Sequence, residues 1–151
     1  MLKRVRIIAD LQFGKGTGEG IFPDSCRFII SRRGGVRQVL LDGKRLATLR
    51  AHDGRLTLGL AGAKRLHEVL DVPGNRVVVR EDVLPFIASG KNLFCRHVVE
   101  SDMHIHAGDE VLVVDGRGGL VAIGEAVLSG EEMARFDTGM AVSVRHGINQ
   151  E

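Results

Sequence analysis

The residues best suited to chemistry in this sequence are cations placed beside glycine and a polar amide. Gly90, Lys91 and Asn92 follow one another, and residues 27–45 contain five arginines and one lysine. Glycine lets backbone N–H groups approach a phosphate closely, lysine adds a positive charge, and asparagine bonds a base edge or a ribose hydroxyl. These residue types indicate binding of a phosphate-bearing polymer. The alternatives are a glycine that ends a helix and a solvated charged face.

A second glycine-rich stretch, residues 14–20, carries no nucleotide-binding motif. It lacks the four-residue gap before Gly-Lys-Ser/Thr that a Walker A loop needs. The dinucleotide-binding spacing also fails, because Glu19 stands where the third glycine belongs. We expect a tight turn here, and a backbone cradle for a phosphate remains the alternative.

Histidine and cysteine fall close together in Cys95-x-His97 and His104-x-His106. Zinc accepts these ligand types, but the spacing matches no standard structural zinc site. We therefore expect exposed loop histidines, a buried strand cysteine, no metal and no cofactor.

Nothing in the sequence assembles a catalytic group. Four aspartates lie beside predicted turns, where the side chain usually bonds the backbone: Asp10, Asp53, Asp102 and Asp109. No Ser/His/Asp arrangement or pair of carboxylates stands out. We predict that the chain is not an enzyme and has no catalytic residues.

Composition limits the class of protein. The chain has 151 residues, of which 44% are hydrophobic and 26% charged, a globular composition. No apolar run approaches the roughly 20 residues of a membrane span. Two distant cysteines do not form a disulfide framework, which favours a reducing cytoplasm. The net charge of +2 excludes a polybasic nucleic-acid binder when the chain is taken as a whole.

A break at Asp71-Val72-Pro73-Gly74-Asn75 separates two parts of opposite charge. Residues 1–75 hold 14 basic and 7 acidic residues, whereas residues 76–151 hold 7 and 12. We predict two domains, residues 1–73 and residues 74–151. Each is close to the smallest size that folds alone, so we expect them to share an interface.

The elements that position these residues follow from the apolar pattern. The first part is predicted as an α+β module, with a helical or extended segment at 4–13, strands at 27–31, 36–41, 45–49 and 57–60, and a helix at 61–70. The second part is predicted as a small closed barrel in the order β-α-β-β-β-α-β, with strands at 76–80, 93–99, 110–114, 120–128 and 141–145 and helices at 83–88 and 131–136. Ser129 and Glu132 form a capping-box pattern at the start of the second helix.

Four segments of the second part resemble a PUA domain, the pseudo-barrel found in pseudouridine synthases and archaeosine transglycosylases. They are Gly90–Phe94, Gly108–Val111, Gly124–Ala126 and Ala141–Arg145. The first part resembles the domain that precedes PUA in archaeal tRNA-guanine (archaeosine) transglycosylases, on the segments Ala9–Gly16, Ile29–Arg32, Leu46–Ala51 and Leu58-Gly59. The resemblance implies an α+β fold, a small α/β pre-PUA domain followed by a PUA-type β pseudo-barrel. The catalytic barrel of those enzymes has no counterpart here.

The resemblance implies an RNA-binding protein whose PUA domain holds a tRNA acceptor end. Carried over by position, the implied RNA-binding residues are Ser89, Gly90, Lys91, Asn92, Leu93, Phe94, Arg145 and His146. The charges add Arg96 beside them and Arg32, Arg33 and Arg37 in the basic part. We expect the basic part and the Gly90-Lys91 segment to form one continuous RNA-binding surface.

The favoured function is recognition of tRNA or a tRNA-like stem end, as an accessory chain in tRNA modification beside a separate transglycosylase or another modification enzyme. A ribosome-assembly factor is one alternative. The other is a protein-interaction adaptor with a PUA fold, which the acidic second part favours.

Overall fold

Two separate β-sheets, one in each part of the chain, organise the protein. A computed structural model describes residues 1–151, and the chain divides into unit 1 (Met1–Leu70) and unit 2 (Asp71–Glu151). Each unit combines helices with its own sheet, so the predicted α+β class is confirmed.

Unit 1 combines three helices with an antiparallel sheet of four strands in the order β1-β2-β3-β4. The helices are α1 (Leu2–Phe13), α2 (Thr17–Ile21) and α3 (Leu60–Val69), and the strands are β1 (Arg27–Ile30), β2 (Val36–Leu41), β3 (Lys44–Leu49) and β4 (Leu56–Leu58). Val5, Ala9 and Phe13 recur every four residues and bury one face of α1. Leu60, predicted in a strand, instead begins α3.

The turn between β2 and β3 has the conformation that its sequence predicts. Asp42 and Gly43 both have positive φ, 51° and 79°, as the central residues of a type I′ hairpin turn require. Strand β2 has the limits predicted from the sequence, whereas β3 starts one residue before its predicted start.

The glycine-rich stretch is only partly a turn. Gly14 and Gly16 have φ of 124° and 91°, but α2 begins directly afterwards at Thr17, and Gly18 and Gly20 lie inside it. A Cβ on Gly18 would collide with the backbone of Arg6 in α1. Close helix packing therefore explains the second half of this stretch, and the prediction of a turn over all of residues 14–20 was wrong.

Unit 2 is a six-stranded sheet in the order β6-β10-β9-β8-β5-β7, the PUA-type pseudo-barrel predicted from the resemblance. All neighbouring strands are antiparallel except the parallel pair β5 and β8. The strands are β5 (Arg76–Val79), β6 (Leu93–Phe94), β7 (Val98–Ser101), β8 (Glu110–Val114), β9 (Leu120–Ala126) and β10 (Met140–Gly147), and the helices are α4 (Leu84–Ala88) and α5 (Gly130–Arg135). Short 3₁₀ turns occupy Glu81–Val83, Cys95–His97 and Ile148–Gln150.

The strand predicted at residues 93–99 is two strands at opposite edges of the sheet. β6 pairs with β10 and β7 pairs with β5, while the 3₁₀ turn Cys95–His97 carries the chain between them. The Cys95 side chain is buried in this turn and not in a strand. The prediction of one strand here was therefore wrong, and the order of unit 2 contains four strands between its two helices.

The second helix of unit 2 begins as predicted. The Glu132 N–H donates to Ser129 Oγ at 3.1 Å, and the Ser129 N–H donates to the Glu132 carboxylate at 3.0 Å, which completes the capping box. None of the helices in the chain combines the length and the apolar character needed to cross a membrane.

Candidate nucleic-acid interface

Gly90 ends helix α4 in a left-handed conformation, with φ 101°. The Gly90 N–H donates to the Ile87 carbonyl at 2.9 Å, and the Lys91 N–H donates to the Phe86 carbonyl at 3.1 Å, which is the Schellman arrangement. The Ser89 hydroxyl also donates to the Phe86 carbonyl, at 2.7 Å. The backbone donors of this turn are therefore used inside the protein, and the exposed Lys91 side chain is what it offers to a ligand.

The end of the chain packs against the same glycine. A Cβ on Gly90 would lie 2.5 Å from Nε2 of Gln150, whose Oε1 accepts the Gly147 N–H at 2.8 Å. No sequence motif predicted this contact, because Gln150 is far from Gly90 along the chain. The backbone conformation of Gly90 therefore favours glycine, and the Gln150 side chain would have to shift to admit a Cβ.

The three residues after Lys91 differ in burial and in what their side chains contact. Oδ1 of Asn92 accepts the Val144 N–H at 2.9 Å, so this amide ties the segment to strand β10. The Leu93 side chain lies in the core, while the Phe94 ring is 42% exposed. Lys91, Asn92 and Phe94 are all exposed to solvent, and of these Asn92 already uses its Oδ1 within the protein.

Arg145 belongs to the strand that Asn92 contacts, but its charge is already paired. It is the extra residue of a bulge in β10, between Val144 and His146. Both of its terminal nitrogens donate to the carboxylate of Glu110, one of them at 2.9 Å, and Glu110 is only 4% exposed. The resemblance implied an RNA contact for Arg145. The sequence alone does not reveal its ion pair, because Glu110 lies 35 positions away along the chain.

Arg96 and His146 differ in their environment. The Arg96 side chain is exposed and forms no hydrogen bond or ion pair, whereas His146 is half-buried in β10 beside Ile123 of β9. Arg96 therefore offers a cation to a ligand more directly than His146.

A small pocket lies beside Phe94 and Arg96. Its other lining residues are Asp137, Thr138 and Gly139, which immediately precede β10. Sequence analysis did not single out these three residues. An Asp-Thr-Gly run before a strand indicates a turn, but nothing local shows that this turn faces Phe94.

In unit 1, the three arginines predicted to bind RNA are exposed cations without a partner. Arg32 and Arg33 lie in the loop between β1 and β2, and Arg37 lies in β2. None of them forms a side-chain hydrogen bond or an ion pair. By contrast, Arg6 pairs with Asp24 at 3.0 Å.

The aspartates singled out in the sequence bond backbone groups, as predicted. Asp10 accepts the Gly18 N–H, Asp53 the Arg55 N–H and Asp109 the His106 N–H, at 2.8 to 3.0 Å. Asp102 accepts two, from Asn75 and His104. The bond from the Arg55 backbone, aided by Arg50 and His52, holds the pKa of Asp53 below its ordinary value. These carboxylates fix turns.

The two cysteines are free thiols in different settings. Burial raises the pKa of Cys95, and burial also raises the pKa of Cys26 although Arg65 and Arg6 oppose it. Raised values keep both side chains in the thiol form near neutral pH. His104 and His106 are exposed in the loop before β8, as predicted, and no group of three His, Cys, Asp or Glu side chains in the chain is arranged to hold a metal ion.

Comparison with known protein families divides the chain close to the boundary between unit 1 and unit 2. Residues 3–73 match the patch-forming domain C2 of tRNA-guanine transglycosylase, and residues 75–148 match the PUA domain.

Two curated relatives illustrate the extent of the sequence match. The tRNA-guanine(15) transglycosylase of Thermococcus kodakarensis is 49% identical over 148 residues, which is 98% of this chain and 25% of the relative. The enzyme of the same name from Methanothermobacter thermautotrophicus is 44% identical over 147 residues, 97% of this chain and 22% of the relative. The chain thus spans about a quarter of the length of these relatives.

Solved structures agree on the fold. A hypothetical protein from Pyrococcus horikoshii superposes with a TM-score of 0.74 at 25% identity, covering 97% of this chain and 89% of that one. A conserved PUA domain protein from Thermoplasma acidophilum gives 0.68 at 22% identity, covering 97% and 90%.

Proposed function

We propose that this chain, which belongs to the family that joins the patch-forming C2 domain of tRNA-guanine transglycosylase to a PUA domain, binds tRNA or a tRNA-like stem end. The observation that carries the proposal is the match over 98% of the chain to a tRNA-modifying enzyme. In this proposal, the chain consists of two domains, residues 1–73 and residues 74–151, that together bind the RNA.

The available charges support binding to a nucleic-acid backbone. Lys91 and Arg96 in unit 2 and the three arginines of unit 1 have exposed side chains without a protein partner. Contacts of lysine and arginine with phosphates supply most of the non-specific affinity for nucleic acid and make it fall with salt. We therefore assign the affinity mainly to phosphates, and recognition to the shape and the end of the RNA.

We further propose an accessory role for this chain in tRNA modification. In the proposal, this chain binds the RNA, and a separate transglycosylase or another modification enzyme carries out the chemistry in the cytoplasm. The two free cysteines are consistent with that reducing compartment.

The test of the proposed function is the identity of the RNA that co-purifies with the chain. Sequencing is expected to recover tRNA. Enrichment of ribosomal RNA precursors would instead support a ribosome-assembly factor, which is the nearest alternative.

A second measurement separates an RNA binder from a protein-interaction adaptor. The adaptor is favoured by one observation, the excess of acidic residues in residues 76–151. Filter binding to bulk tRNA at moderate salt is expected to give saturable binding, whereas an adaptor that has lost RNA binding gives none.

A further inference from the structure

The four-stranded sheet of unit 1 has one face in the core and one face open to solvent. The row that crosses the core face consists of one half-buried and three buried apolar residues: Phe28, Val39, Ala47 and Leu58. The residue next to each of these along its strand points to the opposite side of the sheet. Those residues form a second cross-strand row that is exposed or half-buried: Ile29, Gln38, Thr48 and Thr57.

A neighbouring row on the same side of the sheet carries positive charge. Arg27, Leu40 and Arg45 lie opposite one another on β1, β2 and β3. Arg27 and Leu40 stand two positions from members of the row above, which keeps them on the same side. Nη1 of Arg45 donates to Oγ1 of Thr48 at 3.0 Å and so joins the two rows, while Arg27 is exposed and has no partner. We call these two rows together the open face.

The composition of the sheet favours a nucleic acid as the ligand of the open face. Strands β1 to β4 contain three arginines, one lysine and no aspartate or glutamate. No carboxylate of the strands therefore repels a phosphate that approaches this face.

The absence of aromatic rings from the open face favours a double strand. Proteins that bind single-stranded nucleic acid stack its bases on aromatic side chains. The one aromatic residue of the sheet, Phe28, belongs to the core face. The open face therefore suits a ligand whose bases are already stacked and paired.

Three polar side chains of the open face match the hydroxyl groups of RNA. The threonine hydroxyl and the glutamine amide both donate and accept hydrogen bonds, as the ribose 2′-hydroxyl does. Gln38 and Thr57 form no side-chain hydrogen bond in the protein, and the Thr48 hydroxyl accepts one and donates none. Because neighbouring strands lie about 4.8 Å apart, the three side chains form a line about 10 Å long.

We propose that the open face binds the minor groove of an RNA duplex and that Gln38, Thr48 and Thr57 bond its ribose hydroxyls. This groove is wide and shallow in RNA and displays the 2′-hydroxyls. The minor groove of B-form DNA is roughly 6 Å wide and 7.5 Å deep, too narrow to admit a row of side chains from three strands, and DNA lacks the hydroxyl. The inference rests on the proposed function, since it needs RNA as the ligand.

Three blunt hairpins of one sequence test the proposal by fluorescence anisotropy. They are an RNA hairpin, the corresponding DNA hairpin, and the RNA hairpin with 2′-O-methyl groups throughout its stem. We expect the parent protein to bind the RNA hairpin about tenfold more tightly than the DNA hairpin, because two or three hydrogen bonds are lost with DNA. The methylated hairpin is expected to bind more weakly than the unmodified RNA, since its blocked hydroxyls no longer donate.

Variants of the two threonines assign this preference to the open face. Thr48→Val combined with Thr57→Val removes two hydroxyls at nearly constant volume, and it is expected to weaken RNA binding about tenfold and leave DNA binding unchanged. Thr48→Ser combined with Thr57→Ser keeps the hydroxyls and is expected to keep the preference of the parent. The control, Ser25→Ala combined with Ser143→Ala, removes two exposed hydroxyls outside the open face and is expected to bind like the parent.

Circular dichroism melts establish that the variants fold, as expected for valine in a strand. If the valine variant does not fold, Gln38→Met takes its place, with an expected severalfold loss of RNA binding only. Equal affinity of the parent for RNA and DNA, or an unchanged preference in the valine variant, would overturn the proposal and leave RNA binding by the chain intact. If the parent binds none of the hairpins and no tRNA, the proposed function fails as well.

Discussion

Arginines in the two units differ in how available their positive charge is to a ligand. The contrast is between the arginines of the β1–β2 region in unit 1 and Arg145 in unit 2. Arg32, Arg33 and Arg37 are exposed and unpaired, whereas Arg145 donates to a buried carboxylate. An RNA phosphate can bind the first three arginines without competition from a protein carboxylate. It can bind Arg145 only if the ion pair between Arg145 and Glu110 breaks. A count of basic residues therefore overstates the positive charge that a surface offers to a ligand.

The same difference appears in the two units as wholes. Residues 1–75 have a net charge of +7 and residues 76–151 one of −5. We infer that unit 1 attracts a polyanion over distance, whereas unit 2 relies on the few cations that stand free, chiefly Lys91 and Arg96.

The largest expected effect is on stability, from Arg145→Met. Removing the guanidinium leaves the nearly buried Glu110 carboxylate without its partner, which typically costs about 3 to 5 kcal/mol in the free energy of unfolding. Urea denaturation measures this cost. Arg96→Met is the matched control, because Arg96 is exposed and unpaired, and it should leave stability nearly unchanged. Equal stability of the two variants would contradict the structural role of Arg145.

The next effect is on RNA binding, from the combined change of Arg32, Arg33 and Arg37 to alanine. Because each of these cations is free to neutralise a phosphate, the slope of log K against log salt should become shallower by about 2 to 3. Filter binding to bulk tRNA over a range of salt concentrations measures the slope.

The matched control removes the same formal charge from unit 2, by changing Arg80, Arg117 and Arg135 to alanine. Two of these are already paired, Arg80 with Asp82 and Arg135 with Glu131. We expect the slope to stay near that of the parent protein. A similar loss in both triple variants would mean that total charge, and not the β1–β2 region, sets the affinity.

A smaller effect separates two neighbours in the candidate interface. Lys91→Ala should leave stability unchanged and reduce the salt slope by about 1 or less, since one cation is lost. Gly90→Ala should destabilise the fold by about 1 to 2 kcal/mol, because alanine resists φ 101°, and its Cβ would also collide with Gln150. Thermal melts and filter binding on both variants measure these outcomes. A destabilised Lys91→Ala would show that the lysine supports the fold.

The smallest expected effect is a pH dependence from Asp53. Its pKa is lowered in the folded state, so its contribution to stability is present above the ordinary pKa of an aspartate and is lost as the pH falls through the lowered value. Asp53→Asn should therefore be less stable than the parent at neutral pH and equally stable in strong acid, at about pH 2. Urea denaturation at the two pH values checks this, and a difference that persists in acid would contradict it.

Local sequence patterns predicted the elements that local interactions determine. Asp42-Gly43 predicted a hairpin turn, and Ser129 with Glu132 predicted a helix start, because in both cases the stabilising contacts lie within a few residues. The apolar pattern indicated an α+β first part and a small barrel in the second part, and the resemblance identified that barrel as PUA-type.

Features that depend on distant partners were not predictable in this way. The sequence at 93–99 does not reveal that the chain crosses from one edge of the sheet to the other. Its residue pattern fits one continuous strand as well as two short strands, and only the pairing with β10 and β5 distinguishes them. Glycine content predicted a loop at 17–20, but these residues form helix α2, in which Gly18 leaves room for the backbone of α1 and Gly20 leaves room for Val69 of α3. The Glu110 partner of Arg145 and the pocket at Phe94 likewise join residues 35 or more positions apart. The RNA contacts themselves stay predictions.

The salt dependence of tRNA binding by the intact chain tests the proposed function most directly. With five exposed, unpaired cations in contact with phosphates (Arg32, Arg33, Arg37, Lys91 and Arg96), we predict saturable binding whose slope of log K against log salt is about −3 to −5. Binding that does not change with salt, or no binding to tRNA at low salt, would contradict it.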